Sequence, residues 1–192
     1  MGLQINNDIP LREKNIVLIG FMGVGKTTIG RHLSDKLYRD FIDIDQEIEK
    51  LHGMPVPKIF ESMGEQAFRQ MEKEFITKLC RTTRLKIISL GGGSFLQEEI
   101  KQVCLANSIV FYLDLSWDSW KDRLQLIMDS RPVLQNKSLE EIEKLFYSRQ
   151  SIYEANNSKV STDSLDPEEI ADHIIDTIKL GWELYDPASD AF

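Results

Sequence analysis

The chain is 192 residues long and 42% hydrophobic, with a net charge of −8 from 31 acidic and 23 basic residues. That length and apolar content suit a single domain with a full core, and an acidic balance without any basic block argues against a nucleic-acid partner. No stretch approaches the ~18 to 20 apolar residues of a membrane span, and the start, MGLQINNDIPLREKN, lacks the apolar centre of a signal peptide, so a soluble cytoplasmic protein with no membrane partner is expected.

Residues 1–14 read as an extension ahead of the first strand. Asn15-Ile16-Val17-Leu18-Ile19 is short, β-branched and apolar on both faces, which suits a strand buried inside a parallel sheet. The glycine-rich stretch GFMGVGKTTIG follows over residues 20–30, and Ile29, Leu33 and Leu37 then recur every four residues, so a helix is expected. Phe41-Ile42-Asp43 reads as a second strand, with a helix opening over residues 45–50. GMPVPKIF is a turn and a short helix, and a longer helix runs from Gly64 with Phe68, Met71, Glu72, Phe75, Ile76 and Leu79 on or near one stripe. Residues 86–90 form a third strand, stopped by Gly91-Gly92-Gly93; residues 97–106 suit a helix, 108–113 a fourth strand, and 117–127 another helix.

A polar loop, MDSRPVLQNK, then interrupts the alternation. Ser138 and Glu141 make a capping box for a helix reaching about Glu154, and residues 158–162 are a weak fifth strand. Asp166-Pro167-Glu168-Glu169 starts a last helix with a capping acid and a proline at the first helical position, and Gly181 is expected to end it. The tail, residues 182–192, carries Trp182 and Tyr185, which are expected to pack back on the body. Strands alternating with helices predict an α/β fold in one domain spanning residues 1–192.

The first glycine-rich stretch fills the pattern G-x-x-x-x-G-K-[ST] with Gly20, Gly25, Lys26 and Thr27, between a strand and a helix, the context that gives the pattern its meaning. Backbone N–H groups from Met22 to Thr28, those of Gly23, Val24 and Gly25 among them, would converge on a phosphate chain at the positive end of the helix dipole. Lys26 supplies charge to the β- and γ-phosphates, and the Thr27 hydroxyl is placed to ligate Mg²⁺. The stretch asks for a nucleoside triphosphate and leaves the acceptor open.

Asp43 and Asp45 fall where the second strand ends, at the carboxyl edge of the sheet, where open α/β sheets bind ligands. One carboxylate there can hold Mg²⁺ or its waters and the other can accept a hydroxyl proton, while Asp45 is also suited to cap a helix beginning at Gln46. Arg69 lies three residues before Glu72, within reach across one helical turn. Ile142, Leu145, Arg149 and Ile152 share a helical face, which turns the Arg149 guanidinium inward, and a buried charge needs an anion. With the glycine triplet, the two arginines suggest a pocket for a small carboxylate, gripped through paired hydrogen bonds. Cys80 and Cys104 read as buried reduced thiols, and His32, His52 and His173 share no metal-ligand spacing.

In this order, GFMGVGKTTIG, FIDIDQEIE, IFESMGEQAFRQME, SLGGG, SRP and SRQSIYEA resemble a shikimate kinase from about Asn15 to Leu180. The resemblance implies a three-layer α/β/α P-loop fold of the nucleoside-monophosphate-kinase type, with five parallel strands in the order 2-3-1-4-5. It also implies ATP and shikimate as partners of a monomer, Mg²⁺ as cofactor, and transfer of the γ-phosphoryl group to the 3-hydroxyl of shikimate on the way to chorismate. On that resemblance Asp45 is the base that binds the shikimate hydroxyls, Asp43 lies beside magnesium, and Arg69 and Arg149 grip the carboxylate. Glu72 orients Arg69, Gly91, Gly92 and Gly93 turn over the ring, and Phe60 and Phe68 line the apolar side. Arg131, followed by Pro132, is the lid arginine that reaches the transferred phosphoryl group, and Asp166 and Pro167 flank adenine. The family's adenine-packing arginine stands about seven residues before the lid arginine; Leu124 holds that offset here, and Arg123 is the nearest candidate. Ser89-Leu90 offers no strand-end aspartate for magnesium, which leaves Thr27 and Asp43 for that duty. A gluconate kinase on the same fold is the nearest alternative.

Overall fold

The computed structural model describes residues 9–124, 134 and 137–184. Five strands, β1 (Asn15–Ile19), β2 (Asp40–Asp43), β3 (Lys86–Ser89), β4 (Ser108–Asp114) and β5 (Ser158–Ser161), form one parallel sheet in the order β2-β3-β1-β4-β5. Every residue of β1 is buried, as the apolar run Ile16 to Ile19 requires of a strand covered on both faces. Ile16 lies opposite Ile87 on one side and Ile109 on the other. The strand order reverses at β1, so the loop that leaves its carboxyl end opens at the crevice where such sheets take ligands.

Flanking helices are α1 (Lys26–Leu37), α2 (Ile44–His52), α3 (Val56–Thr82), α4 (Glu98–Asn107), α5 (Trp117–Lys121), α6 (Leu139–Tyr153) and α7 (Pro167–Leu184). Their apolar stripes close the core: Ile29 and Leu33 of α1, Phe68, Ile76 and Cys80 of α3, and Ile170, Ile174 and Ile178 of α7 are all buried. α1 packs beside α7, and α3 beside α4. Cys80 and Cys104 are free and buried, their sulfurs 3.9 Å apart. No helix among the described residues is long and apolar enough to cross a membrane.

The boundaries of α2, α5 and α7 differ from the sequence expectation, each for a local reason. α2 begins at Ile44 because the Asp43 carboxylate accepts the Gln46 N–H at 3.4 Å; Asp43, and not Asp45, is the cap. α5 stops at Lys121, where the Arg123 N–H bonds back to the Trp120 carbonyl at 3.0 Å and tightens the last turn. α7 runs through Gly181 to Leu184. Packing overrides the glycine there: Trp182 is partly buried against the core with the Arg39 guanidinium 5.9 Å from its ring centroid, and a Cβ on Gly181 would touch Leu11 at 3.5 Å. The other caps stand as expected. Ser138 and Glu141 form the capping box of α6, and Asp166 accepts the N–H groups of Glu168 and Glu169 at the start of α7. Tyr185 lies outside the described residues.

Candidate active site

The loop after β1 delivers Lys26 into the crevice. Gly25 caps α1 at φ 101°, a left-handed conformation that side chains resist, and this sets the loop back toward the helix axis. Lys26 is 7% exposed, and its Nζ donates to the carbonyls of Gly20 and Phe21 at 2.8 and 2.9 Å. The Thr27 hydroxyl donates to Asp43 Oδ2 at 2.7 Å, joining the start of α1 to the end of β2. These residues, with Gly23, Thr28, Asp45, Gly91 and Gly92, line a cavity of about 240 Å³. The Val24 side chain is turned into the core, so only its backbone is available to a ligand. The Trp120 indole donates to the Met22 carbonyl at 2.7 Å and fixes the far side of the loop.

A second cavity, about 290 Å³, lies under α3 and α6. Its apolar wall is Phe60 and Phe68, ring centroids 4.8 Å apart, and the Arg69 guanidinium stands 5.4 Å from the Phe68 centroid. Arg69 Nη1 donates to Glu72 Oε2 at 2.8 Å. Glu72 is wholly buried; it also accepts the Ser94 hydroxyl and, at 3.0 Å, the Gln97 amide. Burial pushes the Glu72 carboxyl above its ordinary value, against the pull of Arg69. Arg149 Nη1 donates to the Gly92 carbonyl at 2.9 Å, and Tyr153, one turn on, donates to the same oxygen at 2.5 Å. Burial holds the Tyr153 phenol up to about 12, so it remains a donor.

The glycine triplet is explained by crowding. A Cβ on Gly91 would come within 2.8 Å of Asp45 Oδ1, one on Gly92 within 3.1 Å of the Met22 nitrogen, and one on Gly93 within 2.7 Å of Arg69 Nη2. The triplet therefore lets the backbone pass between the glycine-rich loop and the arginine. Asp45, with Met22, Gly91 and Gly92, lines both cavities. This carboxylate therefore stands where the cavity of the glycine-rich loop meets the arginine-lined one.

Asp43, Asp45, Lys26, Thr27, Arg69, Glu72, Gly91–Gly93, Arg149, Phe60 and Phe68 are thus brought together. Arg123, just past α5, and Asp166 and Pro167, at the start of α7, line neither cavity. Arg131 and Pro132 lie outside the described residues. Sequence reasoning passed over Glu65, Ser94, Gln97, Trp120 and Tyr153. Two carried a readable signal: Tyr153 is four residues after Arg149, and Glu65 four before Arg69, each on the arginine's own helical face.

The sequence model of the family described as shikimate kinase matches residues 22–179. A shikimate kinase of Bacillus subtilis is 61% identical over 179 residues, 93% of this chain and 96% of that protein. One of Geobacillus thermodenitrificans is 59% identical over 180 residues, again 93% and 96% of the two chains. Among solved structures, the shikimate kinase of Acinetobacter baumannii in complex with shikimate superimposes with a TM-score of 0.80 at 32% identity, covering 88% of this chain and 94% of that one. With a P-loop sheet in the order 2-3-1-4-5 and matches of this extent, the chain belongs to the shikimate kinase family.

Proposed function

We propose that the chain transfers the γ-phosphoryl group of ATP to the 3-hydroxyl of shikimate, giving shikimate 3-phosphate and ADP. The observation that carries this reading is the position of Asp45, which borders the phosphate cavity and the acceptor cavity at once. On the nucleotide side, backbone N–H groups of the loop and the amino end of α1 take the phosphates, and Lys26 adds a full charge where negative charge builds. Its ties to Gly20 and Phe21 keep that buried cation compensated before phosphate arrives. On the acceptor side, Arg69 and Arg149 hold the carboxylate, Phe60 and Phe68 cover the ring's apolar edge, and Asp45 orients the attacking hydroxyl and takes its proton.

Thr27 and Asp43 fit a magnesium ion. They offer two hard oxygen ligands 2.7 Å apart at the mouth of the phosphate cavity, and the described residues contain no cluster of three or more His, Cys, Asp or Glu that would suit a protein-only metal cage. Magnesium favours such sparse sites, keeping several waters and binding through one or two side chains and the phosphates. When bound, it would neutralise charge on the triphosphate. Arg131 is the residue we assign to the transferred phosphoryl group, and Arg123, Asp166 and Pro167 to the adenine end.

The test is ADP release by the purified chain with ATP, magnesium and shikimate, followed by phosphorus NMR of the product. The expected result is a single phosphate ester at the 3-position that requires all three components. Shikimate-independent ATP hydrolysis as the only activity would contradict the proposal.

A further inference from the structure

Arg69 faces two acids of unequal kind. Glu72 is wholly buried and takes Nη1 at 2.8 Å, whereas Glu65, whose side chain is 67% exposed, reaches Nε and Nη2 with one oxygen, at 3.4 Å to each. Nε and Nη2 form the edge of a guanidinium that accepts a carboxylate through two parallel hydrogen bonds. Glu65 therefore covers the edge that an acceptor's carboxylate would use, and it lines the acceptor cavity itself. The preceding residue, Gly64, breaks α3 at φ 82° and ψ 159°, and a Cβ there would meet nothing within 4 Å. The Glu65 side chain, largely exposed, can swing away from Arg69 into solvent.

We infer that Glu65 is a placeholder anion: it occupies the free edge of Arg69 while the pocket is empty and is displaced by the carboxylate of the acceptor. A half-buried guanidinium is costly to leave with one partner, and a weak, exposed second acid relieves that cost without competing strongly. Glu72 is the permanent partner and Glu65 the replaceable one. The pair sets how tightly the pocket selects acceptors that bring a carboxylate of their own. This rests on the assignment of the 290 Å³ cavity to the acceptor.

The experiment measures Michaelis constants for shikimate and ATP in the parent, Glu65→Gln, Glu65→Ala and Arg69→Lys. Removing the competing charge lowers the shikimate constant about three- to fivefold in both Glu65 variants, the size expected for losing an exposed ion pair, and leaves the ATP constant in place. An unchanged or raised shikimate constant in both overturns the inference. Arg69→Lys separates the two readings. If it raises the shikimate constant while the Glu65 variants do not lower it, the placeholder fails and the pocket stands; if it leaves that constant alone, the pocket assignment fails and the placeholder with it. A shikimate-bound crystal structure with Glu65 still on the Nε and Nη2 edge also overturns it.

Discussion

Asp45→Asn separates catalysis from structure at one atom pair. Asp43 caps α2, so the exchange removes no cap; what it removes from stability is a negative charge in the first helical turn, worth about 0.3 to 1 kcal/mol. For a chain of this size that lowers the melting temperature by roughly 1 to 4 °C. The amide keeps the volume beside Gly91, where the backbone passes closely under Asp45 Oδ1, so the two cavities should keep their shape. It cannot accept the proton of the attacking hydroxyl. General-base contributions are typically 10²- to 10⁴-fold, or about 3 to 5 kcal/mol of barrier, several times the stability effect. Turnover is read by coupled ADP release at saturating substrates, with ATP affinity and melting temperature measured on the same preparation. The expected variant is folded, binds ATP like the parent and turns over at least about 100-fold more slowly. Turnover within about fivefold of the parent would refute the assignment of this carboxylate to chemistry.

Lys26→Ala should nearly abolish transfer, since a preorganised charge at the phosphates is often worth ~3 kcal/mol or more, while circular dichroism stays native; full activity would remove the site. Replacing Arg69 or Arg149 with lysine keeps the charge and loses the fork, so the shikimate constant should rise at least about tenfold and the ATP constant little, and an equal rise in both would place these arginines in the wrong pocket. Glu72 gives a pH dependence. Its carboxyl is raised above 4.5 by burial, so the folded state holds the proton more firmly; its stabilising contribution is full below the unfolded value and lost as pH rises through the folded one. Function runs the other way: protonation on acidification weakens its hold on Arg69, so kcat/KM for shikimate should fall with pH before an ordinary glutamate titrates. A Glu72→Gln variant should start low and lack that limb, and an identical profile in both would show that another group titrates.

The fold was legible where one period dominated. β1 announced itself through the four-residue apolar run Ile16 to Ile19 between a polar turn and the glycine-rich stretch, and Ser138 with Glu141 marked the start of α6 to the residue. The site was legible where chemistry demanded rare residues in order, as at Lys26 and Thr27 or the glycine triplet. Boundaries failed where long-range packing outweighed local signals: Gly181 reads as a stop, yet Trp182 seated near Arg39 carries the helix past it. For Asp43 and Asp45 the sequence placed the helix cap on Asp45, and only the start of α2 at Ile44 moves it to Asp43, which also takes Thr27 and leaves Asp45 at the junction of the cavities. Trp120 and Ser94 were not legible at all, because their partners, Met22 and Glu72, lie 98 and 22 residues away.

The central claim is tested most directly by kcat/KM for ATP turnover against shikimate, quinate, gluconate and nucleoside monophosphates in one assay with the purified chain. The account predicts that shikimate leads the panel by at least about 100-fold, because Asp45, Arg69 and Arg149 must be satisfied together and unpaired buried polar groups penalise an ill-fitting acceptor. Turnover of gluconate or a nucleoside monophosphate as fast as that of shikimate would contradict it.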